Sequence, residues 1–287
     1  MNIELGRLIG NGAMAEVYEY GKDKVIKLFL ESHGKELPEL EYEKTKNAWE
    51  NGLPAPRVYD FVNLNNRYGF IMEKIHGNPM MTEMSKFILM NDGMSYDDIY
   101  NSEQILGRIK ETALVLFSLH KNKILFMHTL DAEFEKIIKA SAMLDENERY
   151  LIEDLFKKLP KGDSVCHGDP NPGNIMETAH GYRIIDWSNA VTGNPLFDLA
   201  RYVLMFKYVN LNPSIPLRIR EFINKYKDRV VEDFLSEYIK LSGIELIDFD
   251  KWLIFTSISK LKGRYTEQQK LDMLSDIRKV IEVNNGL

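Results

Sequence analysis

Near residue 75 the apolar pattern of this chain changes its period, which limits the fold to one that segregates strands from helices. Upstream, residues 5–9, 17–20 and 24–30 are short, rich in β-branched and aromatic side chains, and punctuated by glycine or Asp23, the marks of strands. A helix is predicted over 37–51, stopped by Gly52 with Pro54 just beyond. Residues 57–64 and 67–74 then read as a hairpin around Asn65-Asn66. Downstream the pattern is mainly helical. Residues 103–119 carry apolar side chains at 105, 106, 109, 113, 116 and 117, a helical stripe behind an Asn101-Ser102 cap. Residues 134–144, 147–159, 230–241, 252–261 and 271–283 follow the same logic. The expectation is a bilobal α+β chain: a small antiparallel sheet with one helix over residues 1–75, a strap at about 72–77, and a larger, mainly helical lobe over 78–287. At 287 residues a large core can be buried. No repeat, low-complexity tract or long linker divides the chain.

One segment interrupts the helices. His167-Gly168-Asp169-Pro170-Asn171-Pro172-Gly173-Asn174 is followed, twelve residues after Asn174, by Asp186 in Ile184-Ile185-Asp186-Trp187. Residues 174–178 and 182–186 read as two short strands about a turn at 179–181. In a hairpin centred on His180, Asn174 stands opposite Asp186, and opposed residues share a face. An amide oxygen and a carboxylate so placed suit a magnesium ion. Asp169, five residues before Asn174, suits the acceptance of a proton from an attacking hydroxyl. Pro170 and Pro172 fix φ while Gly173 is free to turn, so a stiff loop holds base and metal ligands in fixed relation. These are the parts that phosphoryl transfer from a metal-bound nucleotide needs.

The N-terminal part supplies a nucleotide site. Gly10 and Gly12 lie two apart between predicted strands, where bare N–H groups can cradle phosphate. Taken alone, a glycine-bearing hairpin is an ordinary turn. It gains force from Lys27, ten residues after Val17 and inside the apolar run Val25-Ile26-Lys27-Leu28. An ammonium there must face phosphate or a carboxylate; Glu41 on the following helix is the natural partner and Glu43 the reserve.

Composition excludes other classes. The net charge of −6 argues against nucleic acid or an anionic membrane as partner. Cys166 is the single cysteine, so no internal disulfide can form. The start, Met1-Asn2-Ile3-Glu4-Leu5-Gly6-Arg7, lacks the basic-then-apolar order of a leader. No apolar run approaches the roughly 20 residues of a membrane span, and a cytoplasmic location is expected. His120, His128 and His180 show no ligand spacing for zinc or a di-metal site.

With these residues in order, the chain resembles the aminoglycoside phosphotransferase and choline kinase family, relatives of protein kinases. The resemblance runs through Gly10-x-Gly12, Lys27, a helical glutamate, Gly52-Leu53-Pro54-Ala55-Pro56, the His167–Asn174 loop, Ile185-Asp186-Trp187 and Gly193-Asn194-Pro195-x-x-Asp198-Leu199. It implies that Asp169 accepts the substrate proton and that Asn174 and Asp186 hold magnesium. Lys27, steadied by Glu41, would contact the α/β-phosphates of ATP, with GTP an alternative. Glu73 and Ile75 would meet the adenine through backbone groups, and Met176 and Ile185 would form part of the floor of the base pocket. His167 and Asp198 would brace the loop. Two departures bear on this: Ala15 replaces the third glycine of a protein-kinase loop, and Asn171 stands where many relatives carry histidine. Only eleven residues separate Asp186 from Asp198 and no Ala-Pro-Glu segment follows, so a long activation loop has no room and a small-molecule hydroxyl is the expected acceptor.

The acceptor's identity is left open among an aminoglycoside, choline or ethanolamine, a sugar and a hydroxy amino acid, and the oligomeric state is not encoded in any motif. Tyr202, Phe206, Tyr208, Trp252 and Phe255 suit a cage for a quaternary amine, but their helix-like intervals favour core packing. Asp131, Glu133 and Glu135 suit a polyamine-like sugar or, better, a solvated helix start. Five of the thirteen methionines fall in 80–94, fitting a substrate lid or a gap-filling core. The alternative to a kinase is an inactive nucleotide-binding scaffold acting through partners, against which the joint presence of Lys27, Asp169, Asn174 and Asp186 counts.

Overall fold

The computed structural model describes residues 4–126, 128–209, 211–263 and 265–285; Met1–Ile3 of the stretch read for a leader lie outside them. Two compact units are distinguished: Met1–Glu83 with Pro172–Ala190, and Met84–Asn171 with Val191–Leu287.

The first unit carries a five-stranded antiparallel sheet in the order β1-β2-β3-β5-β4. Its strands are β1 Leu8–Asn11, β2 Ala15–Tyr20, β3 Lys24–Phe29, β4 Val58–Leu64 and β5 Arg67–Glu73, with α1, Glu36–Glu50, between β3 and β4. Period-2 alternation divides β3 between two faces. Ile26 and Leu28 pack with Ile71 on one side. Phe29 packs with Ala15, Val58, Phe70 and the partly buried Leu37 and Tyr42 on the other. Lys27 shares the parity of Phe29 and so faces α1. That helix buries Pro38, Glu41, Lys44, Thr45 and Ala48, a helical stripe that includes two charged residues. Gly52, at φ 78°, takes the left-handed conformation that ends such a helix. Asn65 and Asn66 both have positive φ, the requirement of a tight two-residue hairpin.

The segment 172–190, expected with the helical lobe, is grouped with the sheet. The reason lies in its hydrogen bonds. β8 (Ile175–Thr178) pairs with β9 (Gly181–Ile184) and also with β6 (Gly77–Pro79). Ile184 N donates to Pro54 O at 2.7 Å, Arg183 donates to Glu73 and to Ala55 O, each at 2.7 Å, and the buried Lys44 Nζ donates to Ser188 O at 2.9 Å.

The second unit is helical. It holds α3 Tyr96–Asn101, α4 Arg108–His120, α5 Leu130–Lys139, α6 Glu146–Lys158, α7 Leu196–Lys207, α8 Leu217–Ser242, α9 Phe249–Lys260 and α10 Glu267–Asn285. Helix α2, Met80–Met90, leads in from the first unit. The short strands β7 (Ser164–Cys166) and β10 (Val191–Gly193) pair antiparallel. The α+β class expected from the sequence is observed. Three local expectations are corrected. Ser102 does not cap α4: its hydroxyl donates back to Ile99 O, and a wide turn over Glu103–Gly107 precedes the helix. Helix α5 starts four residues before residue 134, where Thr129 caps it by accepting from Ala132 N. Helix α8 starts at Leu217 rather than at residue 230. Among the described residues no helix is long and apolar enough to cross a membrane.

At Gly69 on β5 the neighbouring strand leaves no room for a side chain: a Cβ there would stand 2.0 Å from Lys27 O of β3. Gly69→Ala is therefore expected to force the strands apart and lower stability by about 1–3 kcal/mol, the usual range for overpacking. Thermal unfolding checks this, and an unchanged midpoint would contradict the close approach.

Candidate active site

The first unit contains a cavity of about 460 Å³ walled by the β1–β2 turn, β3, α1 and the loops flanking β8 and β9. Lys27, Glu41, Asn174, Ile185 and Asp186 line it together with Gly10 and Gly12. Lys27 Nζ lies 2.5 Å from Glu41 Oε1 and 3.6 Å from Asp186 Oδ1. Burial works against the ammonium, but Glu41 and Asp186 outweigh it and hold Lys27 above its ordinary range. Burial pushes the Glu41 carboxyl up to about 7, more than the neighbouring Lys27 pulls it down. Glu41 Oε2 is buried with no hydrogen-bond partner among the described residues. Glu43, the reserve partner, is not part of the lining.

The hairpin register differs from expectation by one residue. Ile175 pairs with Ile184 and Thr178 with Gly181, so the turn is Ala179-His180 and Asn174 faces Ile185, whose N–H donates to Asn174 O at 2.9 Å. A one-residue slip moves a side chain to the opposite face of a regular strand. Asn174 and Asp186 nevertheless line one cavity because both have left the ladder. Asn174 ends a 3₁₀ turn, Pro172–Asn174, and Asp186 is left-handed at φ 64°, ψ 65°. Ser188 Oγ donates to Asp186 Oδ1 at 3.0 Å, steadying that carboxylate.

The turn at the glycines is tighter than an open cradle. Gly12 N donates to Ala15 O at 2.9 Å, so that N–H shapes the turn rather than presenting itself to an anion. Ala15 is buried and packs in the sheet core, which accounts for a methyl group where a third glycine was considered. The residues read for the base pocket are divided. Ile185 lines the cavity, whereas Glu73, Ile75 and Met176 do not. Glu73 holds Arg183 with its side chain and commits its N–H to Arg57 O at 2.8 Å. Ile75 lies in the irregular stretch after β5, and Met176 is paired on β8 with Arg183 and Pro79.

Asp169 belongs to the second unit, where its loop is anchored from below. The fully buried Asp198, near the start of α7, accepts from His167 N and Gly168 N, each at 2.7 Å. It also pairs with His120 Nε2 at 3.1 Å, whose Nδ1 meets Tyr238 Oη at 2.6 Å. Burial alone raises an aspartate, but the His120 hydrogen bond and charge outweigh it and hold Asp198 below its usual range. Gly168 is left-handed at φ 75°, turning the chain towards Asp169. His167 Nδ1 lies 2.9 Å from Asp169 O.

The sequence treated His120 as scattered; the fold brings it, with Cys166 and Asp198, into one buried group whose ligand atoms lie within 4.8 Å of one another. Burial, then the Asp198 charge, pushes the Cys166 thiol well up. Burial thus favours the neutral thiol at Cys166.

Asp169 lines a cavity of about 390 Å³ formed by its loop, α7, the end of α9 and Tyr265. The sequence reading missed Arg201, Lys260 and Tyr265, which come to this cavity from separate segments. The amine-cage arrangement is not formed. Trp252 and Phe255 are core residues, Phe255 packing on Phe134 and Phe156, and Tyr202 stacks on Phe234 with centroids 3.7 Å apart. Asp131 at the start of α5 pairs with Lys161 at 2.9 Å on the surface. Met80 is buried while Met90 is exposed.

A model of a family described as a phosphotransferase enzyme family matches residues 6–217. Among solved structures the chain is similar to an aminoglycoside-3'-phosphotransferase of type VIII, with a TM-score of 0.57 and 20% identity over 90% of this chain and 92% of that one. It is similar to a thermostable mutant of aminoglycoside phosphotransferase APH(4)-Ia in ternary complex with AMP-PNP and hygromycin B, with a TM-score of 0.58 and 10% identity over 100% and 96%. It is also similar to amicoumacin kinase hAmiN in complex with AMP-PNP, Ca2+ and Ami, with a TM-score of 0.57 and 12% identity over 97% and 88%. Likeness at these identities speaks for the kinase-like fold. No curated protein sequence matches the chain.

Proposed function

Because the chain belongs to the phosphotransferase enzyme family, we propose that it is a magnesium-dependent kinase that transfers the γ-phosphate of ATP to a hydroxyl of a small molecule. The observation that carries this reading is Lys27, held by Glu41 and beside Asp186 in a cavity that also contains Asn174 and the glycine turn. An ammonium so fixed suits the oxygens of a polyphosphate. Complexes with AMP-PNP and with Ca2+ among the similar structures support a nucleotide and a divalent ion.

The donor set of Asn174 and Asp186, one neutral oxygen and one carboxylate, fits magnesium, a hard cation that keeps several waters and needs few protein ligands. Bound there, the ion supplies neutralisation of charge on the phosphate oxygens. The chain's own residues do the rest. Lys27 orients the α/β-phosphates, Glu41 holds the lysine, and Ile185 packs against the base. Backbone groups of Glu73 and Ile75 and the side chain of Met176 complete the base site in this reading. Asp169 accepts the proton of the acceptor hydroxyl as its oxygen forms a bond to the γ-phosphorus. The bond from that phosphorus to the β-γ bridging oxygen breaks, and ADP leaves with the electron pair. Catalysis of this kind is positioning and charge stabilisation. GTP in place of ATP, and a cytoplasmic site of action where such nucleotides are supplied, belong to the same reading.

The experiment is nucleotide binding with and without magnesium. Asp186→Ala is expected to abolish the magnesium-dependent part of the affinity. Lys27→Ala should weaken binding about tenfold or more, the value of a charge-assisted contact. Magnesium-dependent binding that persists in Asp186→Ala would remove that residue from the metal site. The scaffold alternative predicts nucleotide binding with no acceptor-dependent ADP formation.

A further inference from the structure

Resting on the reading of Asp169 as the group that meets the acceptor hydroxyl, we propose that the acceptor is an anion, a small hydroxyl-bearing carboxylate or phosphate held by Arg201 and Lys260. Among the described residues, the cavity beside Asp169 presents two cationic side chains, Arg201 and Lys260, and no carboxylate besides Asp169 itself. Among the described residues, Lys27 on Glu41, Lys44 on Ser188 O and Arg183 on Glu73 each commit their charge to oxygen, although the Arg183 Nε is itself buried without a partner. Arg201 and Lys260 differ.

The Arg201 Nε is buried with no hydrogen-bond partner among the described residues, and its Nη1 reaches Ser259 Oγ at only 3.5 Å. Its guanidinium lies over Phe197, 5.2 Å from the ring centroid. Neither Arg201 nor Lys260 forms an ion pair within 4 Å of a described carboxylate. Burial, and then repulsion from Arg201, push the Lys260 ammonium down to about 8, with Asp169 pulling weakly the other way. Two like charges held together away from water are costly; Asp169 and Asp198 offset part of that cost, yet burial still holds both Arg201 and Lys260 below their ordinary values. An anionic ligand removes that cost, and Arg offers the planar fork that carboxylate and phosphate accept.

The remaining walls, Tyr202, Met205 and Tyr208, suit an apolar body; the Tyr208 hydroxyl is already committed to Asp276 at 2.7 Å. A volume of about 390 Å³ suits a small molecule. A cationic acceptor such as an aminoglycoside or choline would meet two like charges, which oppose binding.

The test uses the full chain and four six-carbon probes: D-gluconate, D-glucose 6-phosphate, D-glucose and D-glucosamine, compared by calorimetry. Gluconate or glucose 6-phosphate is expected to bind more tightly than glucose, and glucosamine more weakly; the two anions separate a carboxylate from a phosphate preference. Lys260→Gln should weaken the preferred anion about tenfold or more, as loss of a charge-assisted contact does, and so narrow the gap in affinity between the anion and glucose. Affinity for the anion should hold below about pH 7 and fall as the pH passes about 8, where the ammonium loses its proton. Arg201, Asp169 and Tyr265 are the other ionisable groups around it. Lys260→Arg should abolish that fall, because a guanidinium stays charged.

Tightest binding by glucosamine, no binding of either anion at millimolar concentration, or a fall near pH 8 that persists in Lys260→Arg would overturn the proposal. Anions that bind as expected but never support ADP formation would leave the charge assignment standing and defeat the kinase reading. Turnover confined to cationic acceptors would do the reverse.

Discussion

Asp169→Asn is expected to bind magnesium and nucleotide as the wild type does while transfer falls roughly 10²- to 10⁴-fold, the contribution of a positioned general base. The substitution keeps the size and shape of the side chain. It also leaves the loop anchors in place, since Asp198 holds the backbone N–H groups of His167 and Gly168 rather than the Asp169 side chain. The cavity proposed for the nucleotide should be indifferent, because Lys27, Glu41, Asn174 and Asp186 line it and Asp169 does not. A variant with unchanged melting, unchanged nucleotide affinity and near-absent turnover isolates the base. Undiminished turnover would remove Asp169 from that role.

Asp198→Ala is expected to act on stability first. Its carboxylate is fully buried and receives two backbone N–H groups and His120, which is itself tied to Tyr238. Alanine leaves those groups facing a void with no acceptor. Removing one partner of such a buried set costs about 3–5 kcal/mol, which lowers the melting temperature on the order of 10 °C in a chain of this size. The effect has a definite pH sign. The carboxyl is held below its ordinary value, so its contribution is present above the unfolded pKa of about 4 and is lost as pH falls through the folded value. Wild type and variant should therefore converge in stability in acid. An unchanged melting temperature at neutral pH would contradict the bracing role.

Much of the cavity in the first unit was legible because it rests on short periods. A lysine in a period-2 run and a glutamate on the next helix leave few ways to satisfy one another, and Lys27 meets Glu41. The hairpin at 174–186 was legible as an element but not in register. The expected three-residue turn is a two-residue turn, which slides every pair by one. The local departures of Asn174 and Asp186 from strand geometry then place them on one cavity by a route no alternation pattern predicts. Helix α8 carried a readable signal that was missed: Ile219, Phe222, Tyr226, Val230, Phe234 and Tyr238 recur at helical spacing behind Pro216.

The second cavity was not legible at all. Arg201, Lys260 and Tyr265 come from α7, the end of α9 and the turn beyond it, so only tertiary packing reveals that two cations share a wall with Asp169. His120, Asp198 and Tyr238 are likewise joined across α4, α7 and α8. Long-range polar networks have no sequence period.

The most direct test of the central claim is ADP formation from ATP with magnesium, measured with and without a hydroxyl acceptor across anionic, neutral and cationic panels, with Asp169→Asn as the blank. Acceptor-dependent ADP formation by the wild type that disappears in the variant is the predicted result. Wild-type protein that fails to bind ATP in the presence of magnesium, or that turns over no faster than Asp169→Asn with every acceptor, would contradict the account.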